Sequence, residues 1–302
     1  ALFPLSPGTY PGDVVAADFD RDGKADVAVL TGALQVLRGD GAGALGSPTA
    51  YALGDAPKRM AVADFNGDGY ADVAVTNGSS VANGPGDLSI LLNDGAGTFL
   101  PQSRVASDAR PVGLVAEDFN GDGNADLAVT HNAFSSTNNV VIFAGDGHGG
   151  FVRGSSIPFA GSIQSLQSAD LNGDGVRDLI AGGSAHLWVL LGFGDGTFFQ
   201  SDASYALDAD VIVTGDVNND DREDAIGSGY GGTAVLLGDG AGHLGTATFL
   251  SLVPNPTYPQ GWTRGDFDRD GKIDLVAQMA RLIYTPNPTE VYELQAMLSD
   301  GS

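Results

Sequence analysis

A nine-residue acidic stretch recurs six times along the chain and constrains the fold more than any other feature. The first copy spans residues 18–26. The later copies begin at Asp64, Asp118, Asp170, Asp216 and Asp266. Each copy has Asp or Asn at positions 1, 3 and 5 and Asp at position 9, and all but one have Gly at position 6. The copies begin about 50 residues apart, a period that is typical of an array of supersecondary units.

This pattern predicts calcium sites. Ca²⁺ binds about six to eight oxygen ligands, and alternate side chains of a tight loop can converge on one ion. The position-6 glycine permits the sharp turn, and the residue at position 7 offers its backbone carbonyl. An acidic turn with glycine can also be a solvated turn, but six copies in one phase favour the metal. We therefore predict about six Ca²⁺ ions.

The predicted metal ligands lie at positions 1, 3, 5, 7 and 9 of each copy. In the first three copies they are Asp18, Asp20, Asp22, Lys24, Asp26, Asp64, Asn66, Asp68, Tyr70, Asp72, Asp118, Asn120, Asp122, Asn124 and Asp126. In the last three they are Asp170, Asn172, Asp174, Val176, Asp178, Asp216, Asn218, Asp220, Arg222, Asp224, Asp266, Asp268, Asp270, Lys272 and Asp274. In the fifth copy Asp221 replaces the position-6 glycine. Because Asp adopts positive φ less readily than Gly, we predict an occupied but weaker or distorted site there.

Four short apolar runs accompany each acidic stretch. In the second unit they include residues 60–63, 72–75 and 88–92, and a glycine-rich turn at 93–99 follows the third run. The runs are too short for helices and are rich in Val, Leu and Ile, so they predict strands. Four strands in a unit of about 50 residues are typical of a propeller blade. The acidic stretch would then be the turn between strands A and B, and the glycine turn would join strands C and D.

The sequence therefore predicts an all-β fold, a β-propeller of four-stranded blades that forms a single domain over residues 1–302. Residues 299–302 followed by 1–3 align without a gap to residues 93–99. This match predicts that the N-terminal strand joins the last blade and closes the ring. Six repeats predict six blades, with seven as the alternative.

The paired Asp-loop and Asp-Gly-x-Gly-x-Phe motifs resemble FG-GAP or VCBS repeats, and the bacterial-type repeats are the most similar. Repeats of this kind form the N-terminal β-propeller of integrin α subunits. The resemblance covers the whole chain. It implies a calcium-stabilised scaffold, adhesion or recognition, and a secreted or cell-surface location. Members of the family often have seven blades, whereas six repeats are present here.

Composition narrows the partners. The formal net charge is −24, and only 14 residues are Lys or Arg, so the chain is a poor match for nucleic acid. There is no apolar run of about 20 residues, so we expect no membrane span. Cysteine is absent, so the redox compartment cannot be inferred from it. We expect a monomeric domain, alone or as part of a larger protein.

The loops between strands B and C differ in length and are the expected recognition surface. The long ones are residues 77–87, 131–139 and 279–290, and they would share the face opposite the acidic turns. Function tends to lie on variable loops over a rigid scaffold, although tolerated insertions would look the same. The candidate ligand-binding residues on this face are Trp262, Arg264, Arg59, His131 and Tyr258.

Recognition of an extracellular protein or glycan is the leading hypothesis for function, with calcium holding the scaffold and no enzymatic activity. Neither a Cys nucleophile nor a G-x-S-x-G elbow is present. A lectin with sugar sites between blades is one alternative. A polysaccharide lyase or hydrolase on a propeller scaffold is another, because carboxylate pairs are abundant.

Overall fold

The computed structural model describes residues 12–79, 84–132, 138–250, 257–265, 274–283 and 289–297. Every regular element in these ranges is a β-strand, as the short apolar runs predict. Within the described ranges no helix has the length and apolarity that a membrane crossing requires. The chain divides into two compact units, residues 1–159 and 160–302. The prediction of one domain over residues 1–302 stays a prediction.

The first unit contains three four-stranded antiparallel sheets, blades 1 to 3, each with its strands A to D in chain order. Blade 1 consists of β1 (Asp13–Ala17), β2 (Asp26–Leu30), β3 (Leu34–Leu37) and β4 (Thr49–Tyr51). Blade 2 consists of β5 (Pro57–Ala63), β6 (Asp72–Asn77), β7 (Pro85–Leu91) and β8 (Ser103–Ala109). Blade 3 consists of β9 (Pro111–Glu117), β10 (Asp126–His131), β11 (Asn138–Gly145) and β12 (Phe151–Phe159).

The second unit contains two four-stranded blades and a three-stranded sheet. Blade 4 consists of β13 (Ser165–Ala169), β14 (Asp178–Gly182), β15 (His186–Gly192) and β16 (Phe198–Ala206). Blade 5 consists of β17 (Val211–Gly215), β18 (Asp224–Gly229), β19 (Gly232–Leu236) and β20 (Thr248–Phe249). The last sheet consists of β21 (Thr257–Gly265), β22 (Asp274–Ile283) and β23 (Thr289–Met297).

The predicted all-β propeller of four-stranded blades is confirmed, but the predicted number of blades is wrong. The described residues form five four-stranded blades, and the sixth sheet has three strands, so neither six nor seven complete blades are found. The sequence analysis predicts that the N-terminal strand joins the last blade, and this stays a prediction. Residues 1–11 and 298–302, which that closure requires, lie outside the described residues.

The core of each unit lies between successive blades. Strand B is buried along its whole length in blades 2 to 5, which explains why the two residues after its first Asp are apolar in each of them. In the first unit, Phe19 and Leu30 of blade 1 pack in one cluster with Val73 and Leu91 of blade 2. In the second unit, residues of blades 4 and 5 form the equivalent cluster. Each blade is therefore held mainly by its neighbour, as in other repeat folds.

The turns lie where the sequence predicts them. The acidic stretch joins strands A and B in each of the five blades, and the glycine-rich turn joins strands C and D. The long loop predicted at residues 279–290 is shorter, because β22 continues to Ile283 and β23 begins at Thr289. There the added residues lengthen the two strands of the hairpin.

Candidate metal loops in the A–B turns

The five A–B turns of blades 1 to 5 share one backbone conformation, and it requires two left-handed residues. Position 6 has positive φ in every one, with 80° at Gly23 and 63° at Asp221. Position 4 also has positive φ, and it is occupied by Gly67, Gly121, Gly173, Arg21 and Asn219. Glycine adopts this conformation without steric cost, whereas other residues are strained there. The sequence analysis identified the need at position 6 and missed the one at position 4.

The side-chain oxygens at positions 1, 3 and 5 are held by backbone N–H groups of the same turn. In blade 2 the Asp68 N–H donates to Asp64 Oδ1 at 3.2 Å and to Asn66 Oδ1 at 3.1 Å. The Gly69 N–H donates to Asp64 Oδ2, and the Tyr70 N–H donates to Asp68 Oδ1. The position-6 and position-7 bonds recur in the other four turns. The loop is therefore preorganised by its own backbone, with oxygens of alternate residues gathered on one side.

The first turn shows how close these oxygens come. One carboxylate oxygen from each of Asp18, Asp20 and Asp22 lies within 4.8 Å of the others. Three anionic oxygens at this separation repel one another unless a cation lies between them. The donor set consists of hard oxygens, which suits Ca²⁺ and not a soft metal. The residues at positions 1, 3 and 5 thus fit a calcium ion.

The Asp at position 9 has a structural role that the sequence analysis did not predict. In blade 2 the Phe65 N–H donates to Asp72 Oδ2 at 2.9 Å, and the Asn93 N–H donates to Asp72 Oδ1 at 2.7 Å. Asp72 is fully buried. The other blades repeat both bonds, with Gly39, Gly145, Gly192 and Gly238 in the place of Asn93. One buried carboxylate therefore ties the A–B turn to the C–D turn in each blade.

Burial of this carboxylate has an electrostatic cost. Desolvation, together with repulsion from Asp68 and Asp64, raises the pKa of Asp72 to about 6, although its two backbone hydrogen bonds act to lower it. Burial likewise raises the pKa of Asp126, Asp178 and Asp224. A cation beside these groups would favour their ionised form. Four of the five turns thus contain a buried carboxylate whose charge is disfavoured in the metal-free protein.

The A–B turns of blades 1, 2 and 4 also contact the next blade. Phe65, at position 2, packs edge-on against Phe151 of blade 3, with 5.4 Å between ring centroids. Its carbonyl accepts a hydrogen bond from the Gly149 N–H in the glycine turn of blade 3. Phe19 packs in the same way against Phe99 of blade 2. In these blades the A–B turn therefore links three segments: its own C–D turn, its own hairpin and the C–D turn of the following blade.

The fifth turn keeps the shared geometry despite its substitution. The Asp221 N–H donates to Asp216 Oδ2 at 2.8 Å, the bond that Gly23 makes in the first turn. Its φ of 63° places an Asp in the left-handed region that glycine occupies elsewhere. A hydrogen bond from the Arg222 side chain lowers the pKa of Asp220 to about 2. The backbone is thus undistorted, and a weaker affinity stays a prediction. Residues 266–273 of the sixth turn lie outside the described residues.

The five candidate ligand residues are not brought together by any described contact. His131 ends β10 and is 1% exposed, with Nε2 2.7 Å from Ser107 Oγ. A ligand cannot touch a side chain at that depth, so any contribution of His131 to binding would be indirect. Arg59 lies on β5, and its Nη1 donates to the Gly12 carbonyl at 3.4 Å. Tyr258, Trp262 and Arg264 lie on β21, whose side chains are outside the described part.

Comparison with known proteins identifies the repeats. Residues 80–129 and 118–181 match the FG-GAP-like repeat family, and residues 58–91 match the FG-GAP repeat family. No curated protein sequence matches the chain.

Two solved structures resemble the chain over most of its length. One is an Agrocybe aegerita lectin that specifically recognises non-reducing terminal N-acetylglucosamine. It is 22% identical, the match covers 96% of this chain and 81% of the lectin, and the TM-score is 0.61. The other is BBS1N in complex with ARL6DN, which is 12% identical, with 90% and 78% of the two chains covered and a TM-score of 0.59. At these identities the likeness concerns the fold alone.

The repeat matches and the blade structure agree with each other. The matched segments together span residues 58–181, and they contain the second, third and fourth A–B turns. The same hydrogen bonds recur in the first and fifth turns, outside the matched segments. The chain is therefore an FG-GAP repeat β-propeller.

Proposed function

We propose that this protein is a calcium-binding, non-enzymatic recognition propeller of the extracellular space, secreted or at a cell surface. Calcium would be held in the A–B turns. An extracellular protein or glycan would bind the loops at the opposite ends of the blades.

The observation that carries the calcium proposal is the repeated arrangement of the five described A–B turns. In each turn the side-chain oxygens of positions 1, 3 and 5 accept hydrogen bonds from backbone N–H groups of the same turn, and the position-9 carboxylate is buried. In blade 2 these groups are Asp64, Asn66, Asp68 and Asp72, with the Tyr70 carbonyl as the further oxygen that the repeat pattern offers. When bound, Ca²⁺ supplies positive charge that offsets the repulsion among these carboxylates.

The residues of the chain supply the rest of the stabilisation. Backbone N–H groups at positions 5, 6 and 7 fix the turn, and Asp72 ties that turn to Asn93. The position-2 aromatic then anchors the turn to the next blade. A ligand that binds only the native turn would therefore stabilise the hairpin and its contact with the neighbouring blade together.

The recognition surface is proposed at the B–C ends of blades 2 and 3. Asn77 and Asp87 pair where the first long loop leaves the sheet, and Asn77 Nδ2 donates to Asp87 Oδ1 at 2.8 Å. His131 and Asn139 pair at the base of the second long loop. Both loops thus rise from buried polar positions on adjacent blades, so they could form one asymmetric surface on a rigid base. Trp262 and Arg264 remain candidates because both residue types often dominate binding energy.

A glycan is favoured over a protein as the ligand by the fold of the Agrocybe aegerita lectin, which recognises non-reducing terminal N-acetylglucosamine. A lectin with equivalent sugar sites between blades is therefore the second candidate function. The lectin function predicts several equivalent glycan-binding sites per chain, whereas recognition by a single loop surface predicts one ligand-binding site.

The calcium proposal is tested by thermal unfolding of metal-free protein with and without Ca²⁺. A ligand at a hundredfold excess over its Kd adds about 2.7 kcal/mol to the free energy of unfolding. We expect Ca²⁺ to raise the melting temperature and Mg²⁺ to raise it less. An identical melting curve in excess chelator, after metal removal is verified, would contradict the proposal.

The recognition proposal is tested by a glycan array probed with and without Ca²⁺. Binding to a defined glycan class in calcium supports glycan recognition, and the number of sites per chain separates the two candidates. The absence of binding shifts the assignment to a protein ligand. Release of product from a polysaccharide would contradict the non-enzymatic function.

A further inference from the structure

The first A–B turn differs from the others because a guanidinium group already lies against it. Arg38 precedes the C–D turn of blade 1, and its side chain reaches back to the acidic turn. Its Nη1 lies 2.6 Å from Asp20 Oδ2 and 3.3 Å from Asp26 Oδ2. Its Nη2 donates to the carbonyl oxygens of Ala96 and Gly97, in the C–D turn of blade 2. One side chain thus joins two carboxylates of the first turn to the next blade.

The equivalent residues in the other blades are uncharged. Each immediately precedes the residue whose N–H bonds the position-9 Asp, and they are Leu92, Ala144, Leu191 and Leu237. Leu92 and Leu191 occupy the same place in space as Arg38, because they pack on Gly149 and Gly242 in the C–D turn of the next blade, as Arg38 packs on Gly97. The position is therefore an inter-blade contact in blades 1, 2 and 4, and blade 1 adds a positive charge to it.

A second cation pairs with a third carboxylate of this turn. Lys24 Nζ lies 2.8 Å from Asp22 Oδ2. The Lys24 ammonium lowers the pKa of the Asp22 carboxyl through this contact. Three of the four acidic side chains of the first turn are therefore paired with cations of the protein: Asp20 and Asp26 with Arg38, and Asp22 with Lys24.

We propose that Arg38 is a built-in cation that competes with calcium in the first A–B turn. This inference rests on the proposed function, since it presupposes that the A–B turns bind Ca²⁺. The first turn has four Asp side chains, whereas the turns of blades 2, 3 and 4 each have three Asp and one Asn at the same positions. Since affinity rises with the number of charged ligands, charge alone would make the first site tighter than those of blades 2 to 4.

Arg38 reverses that order. A divalent ion reaching Asp20 and Asp26 must first displace the guanidinium from both carboxylates and from the two carbonyls of blade 2. The first site should therefore be weaker for Ca²⁺ than the sites of blades 2 to 4. The contact between blades 1 and 2 should in turn depend less on calcium than the contact between blades 2 and 3.

The test compares Ca²⁺ titrations of metal-free wild-type protein, Arg38→Leu and Arg38→Gln by calorimetry. Leu is the residue that blades 2, 4 and 5 use at this place. Gln keeps a hydrogen-bond donor for the blade 2 carbonyls and removes the positive charge. Arg38→Gln therefore replaces Arg38→Leu in the titration if the Leu variant folds poorly. Both variants should gain at least tenfold in affinity at one site. Adding Asp22→Asn should remove that gain and so assign it to the first turn. Arg153→Leu is the charge-matched control, because Arg153 pairs with Asp108 outside the acidic turns, and it should change no affinity more than twofold.

Thermal unfolding in chelator gives an independent readout. Arg38→Leu should lower the melting temperature in chelator, and adding Ca²⁺ should raise the melting temperature of this variant by more than it raises that of wild type. Unchanged calcium affinities in both Arg38 variants, with wild type binding Ca²⁺ normally, would overturn the proposal and leave calcium binding intact. If neither wild type nor variants bind Ca²⁺, the proposed function fails and this inference fails with it.

Discussion

Ionisation of Asp72 should remove a defined amount of stability from the metal-free protein as the pH rises. Its pKa is about 6 in the folded protein, against 3.8 for an unburied Asp. The folded state therefore holds the proton more tightly than the unfolded state. The stabilising contribution is complete below pH 3.8 and is lost as the pH rises through about 6.

The size of the effect follows from the two pKa values. One pKa unit corresponds to about 1.4 kcal/mol, and most of the shift is expressed between the two values. Between pH 5 and pH 7.5, ionisation of Asp72 should lower the free energy of unfolding by about 1.4 kcal/mol. The position-9 carboxylates of blades 3 to 5 act in the same direction, because burial also raises their pKa.

Urea unfolding of wild type and Asp72→Asn in chelator, at pH 5 and at pH 7.5, isolates the contribution of Asp72. The variant should be less stable at both pH values. Both oxygens of Asp72 accept hydrogen bonds from backbone N–H groups, and the amide nitrogen of Asn would place a second donor against one of them. It should nevertheless lose about 1.4 kcal/mol less than wild type across this pH range. Asp94→Asn, an exposed change in the C–D turn, should retain the wild-type dependence. Equal pH dependence of wild type and Asp72→Asn would refute this reasoning.

Three further substitutions probe other parts of the fold. Burial lowers the pKa of His131 from 6.5 to about 4. The contribution of neutral His131 to the free energy of unfolding is therefore complete above pH 6.5 and falls by about 2 kcal/mol between pH 7 and pH 5. His131→Asn, which introduces the residue found at the same place in blade 2, should lack this loss in urea unfolding. Asp221→Gly should raise the free energy of unfolding, measured in urea, by about 0.5–1 kcal/mol, because it relieves the left-handed Asp at φ 63°; no gain would show that the turn is unstrained. Phe65→Ala should cost about 3–5 kcal/mol of unfolding free energy because it empties the contact between blades 2 and 3, whereas the half-exposed Phe199→Ala should cost under about 1 kcal/mol.

The local features were predictable because they repeat. Six copies of one turn fix its place between strands A and B, and alternating carboxylates fix its chemistry. The left-handed residue at position 4 could also have been found, since Gly67, Gly121, Gly173 and Asn219 are residue types that adopt positive φ readily. Arg21, at the same position in the first turn, hides the pattern.

Contacts between distant segments were not predictable from spacing. Asp72 accepts a hydrogen bond from the backbone N–H of Asn93, 21 residues later, and only the fold shows that the A–B and C–D turns meet. Burial of His131 has the same origin, because it depends on Ser107 of the preceding blade. Arg38 did leave a signal, as the single charged residue among Leu and Ala at its repeat position.

The central claim, that the A–B turns are calcium sites, is tested most directly by anomalous scattering from crystals grown with Ca²⁺. The account predicts anomalous peaks inside the turns of blades 2, 3 and 4, each bounded by the side-chain oxygens of positions 1, 3 and 5. In blade 2 those residues are Asp64, Asn66 and Asp68. A protein saturated with Ca²⁺ by titration, yet with no anomalous peak in any of these turns, would contradict the account.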